Sequence, residues 1–155
     1  LEASFVIGQD SERYEGWILI DKGSASGIKE GMPVIVSNSI LIGKISEVYG
    51  STSRVKLLTD SSSLINAIDA ETNAKGIIRG EYGLGIVLDL VSQNDIINSG
   101  DTITTSGLGG DFPRGLLIGK IQEIKSTQDK LFQQAIISTR SRYSKLDVVF
   151  VVKSK

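Results

Sequence analysis

The chain contains no cysteine and no histidine among its 155 residues. Without cysteine there can be no disulfide bond, no thiol nucleophile and no zinc–thiolate site. Without histidine the chain lacks the most frequent general base of enzymes and the most frequent metal ligand. A Ser-His-Asp triad is therefore excluded. The absence of cysteine is neutral on cellular compartment, because exported proteins can also fold without disulfides.

The chain also lacks an excess of charge of either sign and a long apolar run. Its 17 basic and 18 acidic residues give a net charge of −1, so we expect neither a nucleic-acid-binding surface nor a polybasic membrane patch. No segment approaches the ~20 consecutive apolar residues of a transmembrane helix. The sequence begins at Leu1 rather than at methionine. We interpret it as a soluble fragment of a longer protein.

What the chain does contain is an internal repeat. The segment Ile40-Leu-Ile-Gly-Lys-Ile45 returns as Leu116-Leu-Ile-Gly-Lys-Ile121, 76 residues later. Upstream of it, Ile28-Lys-Glu-Gly31 returns as Ile97-Asn-Ser-Gly100, at an offset of only 69 residues. The second copy therefore carries seven additional residues, which fall in the glycine-rich run 105–115. This pattern predicts two similar β units, one of which has an elaborated loop.

Apolar alternation with β-branched residues runs along nearly the whole chain and predicts an all-β fold. The predicted strands are residues 4–7, 17–20, 33–36, 41–48, 54–58, 65–68, 74–79, 85–91, 101–105, 115–124, 133–138 and 148–152. Short strands at regular spacing favour barrels, since closing a sheet removes its exposed edges. We predict two small six-stranded β-barrels, which resemble the barrels of trypsin-like proteases but lack catalytic residues. The first is expected in residues 1–72 and the second in 73–155, with strand exchange between the two left open.

Two local features are predicted within these barrels. The stretches 24–30 and 92–97 favour single helical turns at equivalent points of the two copies. Gly43, which stands between Ile42 and Ile45, indicates a bulge or a close approach of another backbone segment.

The glycine-rich run 105–115 invites comparison with a phosphate-binding loop, because closely spaced glycines let backbone N–H groups converge on an anion. The spacing does not fit: Phe112 stands where a dinucleotide fingerprint needs its third glycine, and Gly-Lys-Ser/Thr is absent. Two interpretations stay open, a turn that packs Phe112 back onto the barrel and an exposed loop that contacts another protein. Neither involves a cofactor.

Acidic residues are scattered rather than grouped. None belongs to a run with the alternating spacing of a calcium loop. We therefore predict solvated turns and no metal site at Asp60, Asp69, Glu71, Asp89 and Asp95.

An enzyme remains the competing class of function. A degenerate or Ser–Lys hydrolase on a protease-like double barrel would take its nucleophile from Ser106 or Ser138 and its base from Lys44 or Lys120, since a desolvated lysine can act as a base. Serine at turns and lysine on strand surfaces are common without any such role, and we predict no catalytic residue.

A carbohydrate-binding module is a third class. Such modules present several aromatic side chains on one face, whereas this chain has one Trp, four Tyr and four Phe. Trp17, with Tyr14 close by, is expected to be a core residue at the start of a strand. We therefore predict no small-molecule substrate.

Several segments in order resemble the MreC family of rod shape-determining proteins. They are Asp21-Lys-Gly-Ser-Ala-Ser-Gly-Ile-Lys-Glu-Gly-Met-Pro-Val34, Leu41-Ile-Gly-Lys-Ile45, Leu57-Leu-Thr-Asp60, Thr105-Ser-Gly-Leu-Gly-Gly-Asp-Phe-Pro-Arg-Gly115, Ile118-Gly-Lys-Ile121 and Leu146-Asp-Val-Val-Phe-Val-Val152. The resemblance covers nearly the whole chain, and the Thr-Ser-Gly-Leu-Gly-Gly-x-Phe-Pro segment is fairly specific.

The resemblance implies the extracytoplasmic double β-barrel of a membrane-anchored protein, whose transmembrane helix and coiled coil would lie outside this fragment. It implies a non-enzymatic scaffold of the cell-elongation complex that makes peptidoglycan. The implied partners are a class B penicillin-binding transpeptidase, MreD, the MreB cytoskeleton indirectly, and further copies of itself in dimers or filaments. On this interpretation Leu108, Phe112 and Pro113 are the expected partner-binding residues.

Overall fold

The computed structural model describes residues 1–9, 16–81, 85–139 and 146–153. These ranges contain twelve β-strands and two short 3₁₀ helices. The strands are β1 (Glu2–Gln9), β2 (Trp17–Ile20), β3 (Pro33–Val36), β4 (Ile40–Val48), β5 (Ser53–Leu57), β6 (Leu64–Asp69), β7 (Lys75–Gly80), β8 (Ile86–Ser92), β9 (Thr102–Thr105), β10 (Leu117–Ser126), β11 (Phe132–Ser138) and β12 (Val148–Val151). Every predicted strand is confirmed, and its ends agree with the prediction to within two residues.

The short helices follow the prediction in part. The first predicted turn is a 3₁₀ helix at Ser24–Ser26, which Gly27 ends with a φ of 79°. The second is a hydrogen-bonded turn, in which the Asp95 N–H donates to the Ser92 carbonyl at 3.0 Å. A further 3₁₀ helix at Ser37–Ser39 was not predicted. Within the described ranges no helix has the length and apolar character needed to cross a membrane.

The first barrel is closed by six strands in the order β1-β2-β5-β4-β3-β12 and back to β1. Side chains of a strand alternate between the two faces of the sheet, and here one face fills the barrel. The interior residues are Ile18, Ile20, Val34, Ile42, Ile45, Val55, Leu57, Val149 and Val151. β-branched residues dominate this set, as expected where stiff side chains pack on a pleated surface.

The second barrel is also closed by six strands, in the order β6-β7-β8-β11-β10-β9 and back to β6. It is filled by buried residues that include Ile65, Ile78, Leu88, Ile103, Ile118, Ala135 and Ile137. The fold is thus the predicted pair of six-stranded barrels. Closure gives each of these strands a neighbour on both sides, which protects its edges from pairing with other chains.

The strands do not divide between the barrels in strict chain order. β12 pairs with β1 and β3 of the first barrel although it follows the last strand of the second. β6 lies before residue 72 and pairs with β7 and β9. Pairing shows which strands associate, not which part of the chain folds on its own, so the boundary at residue 72 stays a prediction.

The two copies of the repeat hold their glycines at matching close approaches. A Cβ on Gly43 would lie 2.1 Å from the Lys56 carbonyl oxygen, and a Cβ on Gly119 would lie 2.3 Å from that of Ser138. The strand register shifts beside both glycines, leaving Ile42 and Ile118 as the extra residues. The predicted pinch of the backbone is therefore confirmed at Gly43 and recurs in the second barrel.

The barrels also share a hydrophobic core. Ile35 and Leu41 of the first barrel pack with the buried residues of the second, together with the half-buried Phe150. A single parallel bridge, between Leu117 and Ile40, connects the two sheets. This contact fixes the barrels against each other and places loop 105–115 beside their junction.

Candidate functional site

The glycine-rich loop 105–115 connects β9 to β10 and is the candidate contact site. Thr105 holds its two ends together and is fully buried. Its Oγ1 donates a 2.6 Å hydrogen bond to the Pro113 carbonyl and accepts one of 2.9 Å from the Leu116 N–H. Thr105, at the start of the loop, is therefore tied to the residues at its end, and this connection holds the loop in a defined shape.

The tip of the loop is built by glycines. Gly107, Gly109 and Gly110 have φ values of 80°, 80° and 76°, a region in which residues with a Cβ are disfavoured. These turns direct Leu108 outward, where 53% of its surface is exposed. The Leu108 carbonyl accepts a 3.2 Å hydrogen bond from Asn66 Nδ2, and its N–H donates to Ser106 Oγ at 3.2 Å. The exposed leucine is thus carried by a fixed backbone.

The other two predicted contact residues lie differently. Phe112 is 6% exposed and packs in the shared core. Pro113 is half-buried beside it. Of the predicted set, only Leu108 presents a large apolar surface to solvent, and the Phe112 ring fastens the loop to the barrel junction. A direct role of all three residues in binding stays a prediction.

The loop also reaches the first barrel. Its Asp111 borders a groove of about 320 Å³ that is lined by first-barrel residues. Three of them, Lys29, Lys44 and Lys153, carry positive charge. Lys153 is paired with Glu2 at 2.9 Å. The loop therefore reaches across the junction of the two barrels, and its Asp111 lies at a groove that contains charged side chains of the first barrel.

The serine residues considered as nucleophiles have structural hydrogen bonds. Ser106 is buried and its Oγ accepts the Leu108 N–H. Ser138 lies opposite Lys120 in the sheet, and its Oγ donates to the Lys120 main-chain carbonyl at 3.3 Å. Across the described part of the chain, neither hydroxyl is hydrogen-bonded to a lysine amine. Both hydroxyls are therefore engaged with main-chain groups.

Trp17 is not a residue of the barrel core, contrary to the prediction. It is half-buried, while its neighbour Ile18 fills the barrel. The Arg54 guanidinium lies 4.5 Å from the centre of the indole ring, a cation–π contact. Tyr14 lies outside the described residues.

Sequence reasoning missed a group of carboxylates. One oxygen from each of Asp69, Glu71 and Asp101 lies within 4.8 Å of the other two. The prediction of solvated turns is wrong for Asp69, whose exposed fraction is 0%. Burial, and then the adjacent Asp101 carboxyl, raise the pKa of Asp69 to about 6, while backbone N–H groups oppose the rise. Asp101 is 32 residues from Asp69 in the chain, so only the pairing of β6 with β9 brings them together.

Comparison with known proteins gives a family match over nearly the whole chain. The family model described as "Rod shape-determining protein MreC, barrel core" matches residues 6–153. The cell shape-determining protein MreC of Listeria monocytogenes is 34% identical over 154 residues, covering 96% of this chain and 52% of that protein. This chain therefore spans about half the length of that relative.

Solved structures agree with the fold. An MreC structure from Listeria monocytogenes superposes with a TM-score of 0.87 at 31% identity, covering 97% of this chain and 73% of the other. The crystal structure of MreC from Pseudomonas aeruginosa gives 0.85 at 28% identity, with 97% of each chain covered.

Two further solved structures are named for an assembly, which is a filament in one case and a complex in the other. One is the major periplasmic domain of the cell shape-determining filament MreC, with a TM-score of 0.80, 25% identity, and coverage of 96% of this chain and 92% of that chain. The other is a complex between a penicillin-binding protein (PBP2) and MreC from Helicobacter pylori, with a TM-score of 0.72, 17% identity and 96% of each chain covered. At that identity the second likeness concerns the fold alone.

Proposed function

Because this chain belongs to the MreC family of rod shape-determining proteins, we propose that it is the barrel region of a non-enzymatic scaffold for cell elongation. Its task is to bind a class B penicillin-binding transpeptidase and so to position peptidoglycan synthesis. The match of the MreC barrel-core model to residues 6–153 carries this proposal. The structural use of Ser106 and Ser138 supports a scaffold over a hydrolase.

The proposal includes a place in the cell. The periplasmic origin of a similar MreC domain supports an extracytoplasmic location for this one. A preceding transmembrane helix would anchor it, and MreD and, indirectly, MreB would be reached through that anchor. The PBP2–MreC complex of Helicobacter pylori supports the transpeptidase as the extracytoplasmic partner.

Leu108 is the proposed contact with the transpeptidase. An exposed apolar side chain on a fixed loop can bury its surface on a partner at little cost in conformational entropy. Phe112 and Pro113 contribute by holding the loop, since the Phe112 ring lies in the shared core and the Pro113 carbonyl is bonded to Thr105.

Self-association is the second proposed interaction. The outer face of β1 carries Phe5 and Ile7, which are 57% and 54% exposed. Val148, the partner of Phe5 in the register of β1 and β12, is 39% exposed and extends this face. Contiguous exposed apolar surface is typical of interaction sites, and the filament named for a similar MreC domain supports a second copy as the occupant.

The test is a binding titration with the extracytoplasmic part of a class B transpeptidase from the same organism. We expect the unaltered chain to bind and Leu108→Asp to weaken binding at least about tenfold, the effect of losing ~1.4 kcal/mol. Leu131→Asp is the matched control, because Leu131 is also an exposed leucine, 66% accessible, on a different loop. Equal weakening by both variants would remove the assignment of Leu108. No binding by the folded chain would contradict the transpeptidase as partner of these barrels alone.

A further inference from the structure

The group of three carboxylates lies at one end of the second barrel. Asp69 ends β6, Glu71 lies in the turn to β7, and Asp101 directly precedes β9. The Thr102 N–H donates to Glu71 Oε2 at 2.8 Å, and the Asn98 N–H donates to Asp101 Oδ2 at 3.0 Å. Backbone N–H groups therefore hold the Glu71 and Asp101 carboxylates in place.

Asp69 provides an independent indication of a missing ligand. Its Oδ1 accepts the N–H groups of Glu71 and Thr72 at 2.9 and 3.1 Å. Its Oδ2 is buried and has no hydrogen-bond partner among the described residues. No ion pair found within those residues involves Asp69, Glu71 or Asp101. An unpaired buried carboxylate beside two others is costly unless a cation or a proton compensates it.

The main-chain turn before β9 does not require a carboxylate at position 101. In the first copy of the repeat Met32 takes the place of Asp101, and its carbonyl accepts the Ile45 N–H at 2.9 Å. The Asp101 carbonyl accepts the Ile121 N–H at the same 2.9 Å. The main chain performs one task in both copies, so the Asp101 carboxylate is an addition specific to the second barrel.

We propose that Asp69, Glu71 and Asp101 bind a divalent cation, with Ca²⁺ as the best fit. The hydrogen bonds above use Asp69 Oδ1, Glu71 Oε2 and Asp101 Oδ2, which leaves one oxygen of each carboxylate for a metal. Hard cations take oxygen ligands, and Ca²⁺ accepts irregular geometry completed by water or carbonyl oxygens. The site stands apart from the proposed transpeptidase contact, so either proposal can fail without the other.

The first experiment is a calorimetric titration of the cation-stripped chain with CaCl₂ and separately with MgCl₂, at constant ionic strength. We expect Ca²⁺ to bind with a Kd of about 10⁻⁴–10⁻³ M, the range of extracellular modules. Calcium should also raise the Tm, since a ligand that binds only the folded state stabilises it. If neither cation gave a saturable heat of binding or a shift in Tm, the proposal would be overturned.

Variants connect the response to the three residues. Glu71→Gln and Asp101→Asn keep an oxygen for the backbone donors and should weaken Ca²⁺ binding at least about tenfold. Glu123→Gln removes one exposed carboxylate elsewhere on the barrel and should leave binding unchanged. A calcium response that is the same in Asp101→Asn as in the unaltered chain would overturn the site.

Asp69→Asn distinguishes a cation from a shared proton. Its amide nitrogen can take the place of the unpartnered Oδ2 and donate to the adjacent Asp101 carboxylate. We therefore expect the variant to be folded, to have a higher Tm than the unaltered chain in chelator, and to give no Tm shift with calcium. A chain that responds to pH but not to either cation would identify a carboxyl–carboxylate pair instead and overturn the metal site.

Discussion

The main-chain N–H of Gly100 donates a 2.8 Å hydrogen bond to the carbonyl of Ile121. The first barrel repeats this bond between Gly31 and Ile45, also at 2.8 Å. Both glycines have φ near 90°, at 91° and 87°. The sequence repeat is therefore a repeat of backbone geometry, in which the same turn is fastened to the same point of the following strand.

Gly43→Ala should strongly destabilise the chain. The new Cβ would lie 2.1 Å from the Lys56 carbonyl oxygen, so two hydrogen-bonded strands would have to separate. We expect a loss of about 1–3 kcal/mol or more in the free energy of unfolding, measured by denaturant titration. Gly50→Ala is the control, because nothing lies within 4 Å of the position that its Cβ would occupy and no strain is expected. Equal stability of the two variants would contradict the pinch.

Thr105→Val should loosen the glycine-rich loop. The substitution keeps the shape of the side chain but leaves the Pro113 carbonyl and the Leu116 N–H without their hydroxyl partner. Unpaired buried polar groups cost about 1–3 kcal/mol. Thr104→Val, on the opposite face of the same strand, is the matched control. Hydrogen exchange of the Leu116 amide should become faster in Thr105→Val alone, and unchanged exchange there would argue against the clamp.

Phe112→Ala should mainly lower the stability of the folded chain, and any loss of binding should follow from that. The ring is 6% exposed in the shared core, and truncating a buried Phe costs about 3–5 kcal/mol. Leu108→Ala, at an exposed position, should change stability by no more than about 0.5 kcal/mol. Thermal unfolding of the two variants checks this. A stable Phe112→Ala chain would show that the ring is not needed to hold the loop.

Acidification should stabilise the cation-free chain through Asp69. The pKa of Asp69 in the folded state is raised to about 6 by burial and by Asp101, so the folded state binds this proton more tightly than the unfolded state does. The stabilisation is complete below the unfolded pKa, near 3.8, and is lost as the pH rises through about 6. In chelator, the stability advantage of Asp69→Asn over the unaltered chain should therefore shrink between pH 7.5 and pH 5.

The comparison with the variant is needed because other carboxylates titrate in the opposite direction. Hydrogen bonds from the Phe5 N–H and the Ser4 hydroxyl lower the pKa of Asp21. The contribution of Asp21 to the stability of the folded state is therefore lost as the pH falls. An advantage of Asp69→Asn that stays constant across this range would contradict the raised pKa.

The strands and their barrels could be predicted because their signals are local. Alternating apolar residues mark each strand and turn residues mark its ends, all within a few neighbouring positions. The Leu-Ile-Gly-Lys-Ile segment identifies the same strand in both copies, and the Gly43 pinch follows from a glycine inside that strand. The carboxylate group could not be predicted in this way. Asp69 and Asp101 meet only because β6 pairs with β9, and nothing near Asp69 in the sequence marks it as buried.

The loop shows the same limit in a different form. Glycines and an apolar Phe112 predicted either a turn packed on the barrel or a loop exposed to partners. The structure contains both, since Phe112 is inside and Leu108 is outside. Which apolar residue of a loop is exposed depends on the surface beneath it, and here that surface comes from both barrels.

The position of β12 gives the molecule a definite order of assembly. During synthesis, β1 and β3 lack their common neighbour until residues 148–151 have emerged, whereas all six strands of the second barrel are complete by residue 138. The barrel that is made first is therefore the one that closes last. Until then it exposes two unpaired strand edges, which are prone to wrong pairing. Loss of β12 would consequently damage the opposite end of the chain, the barrel formed by its earliest residues.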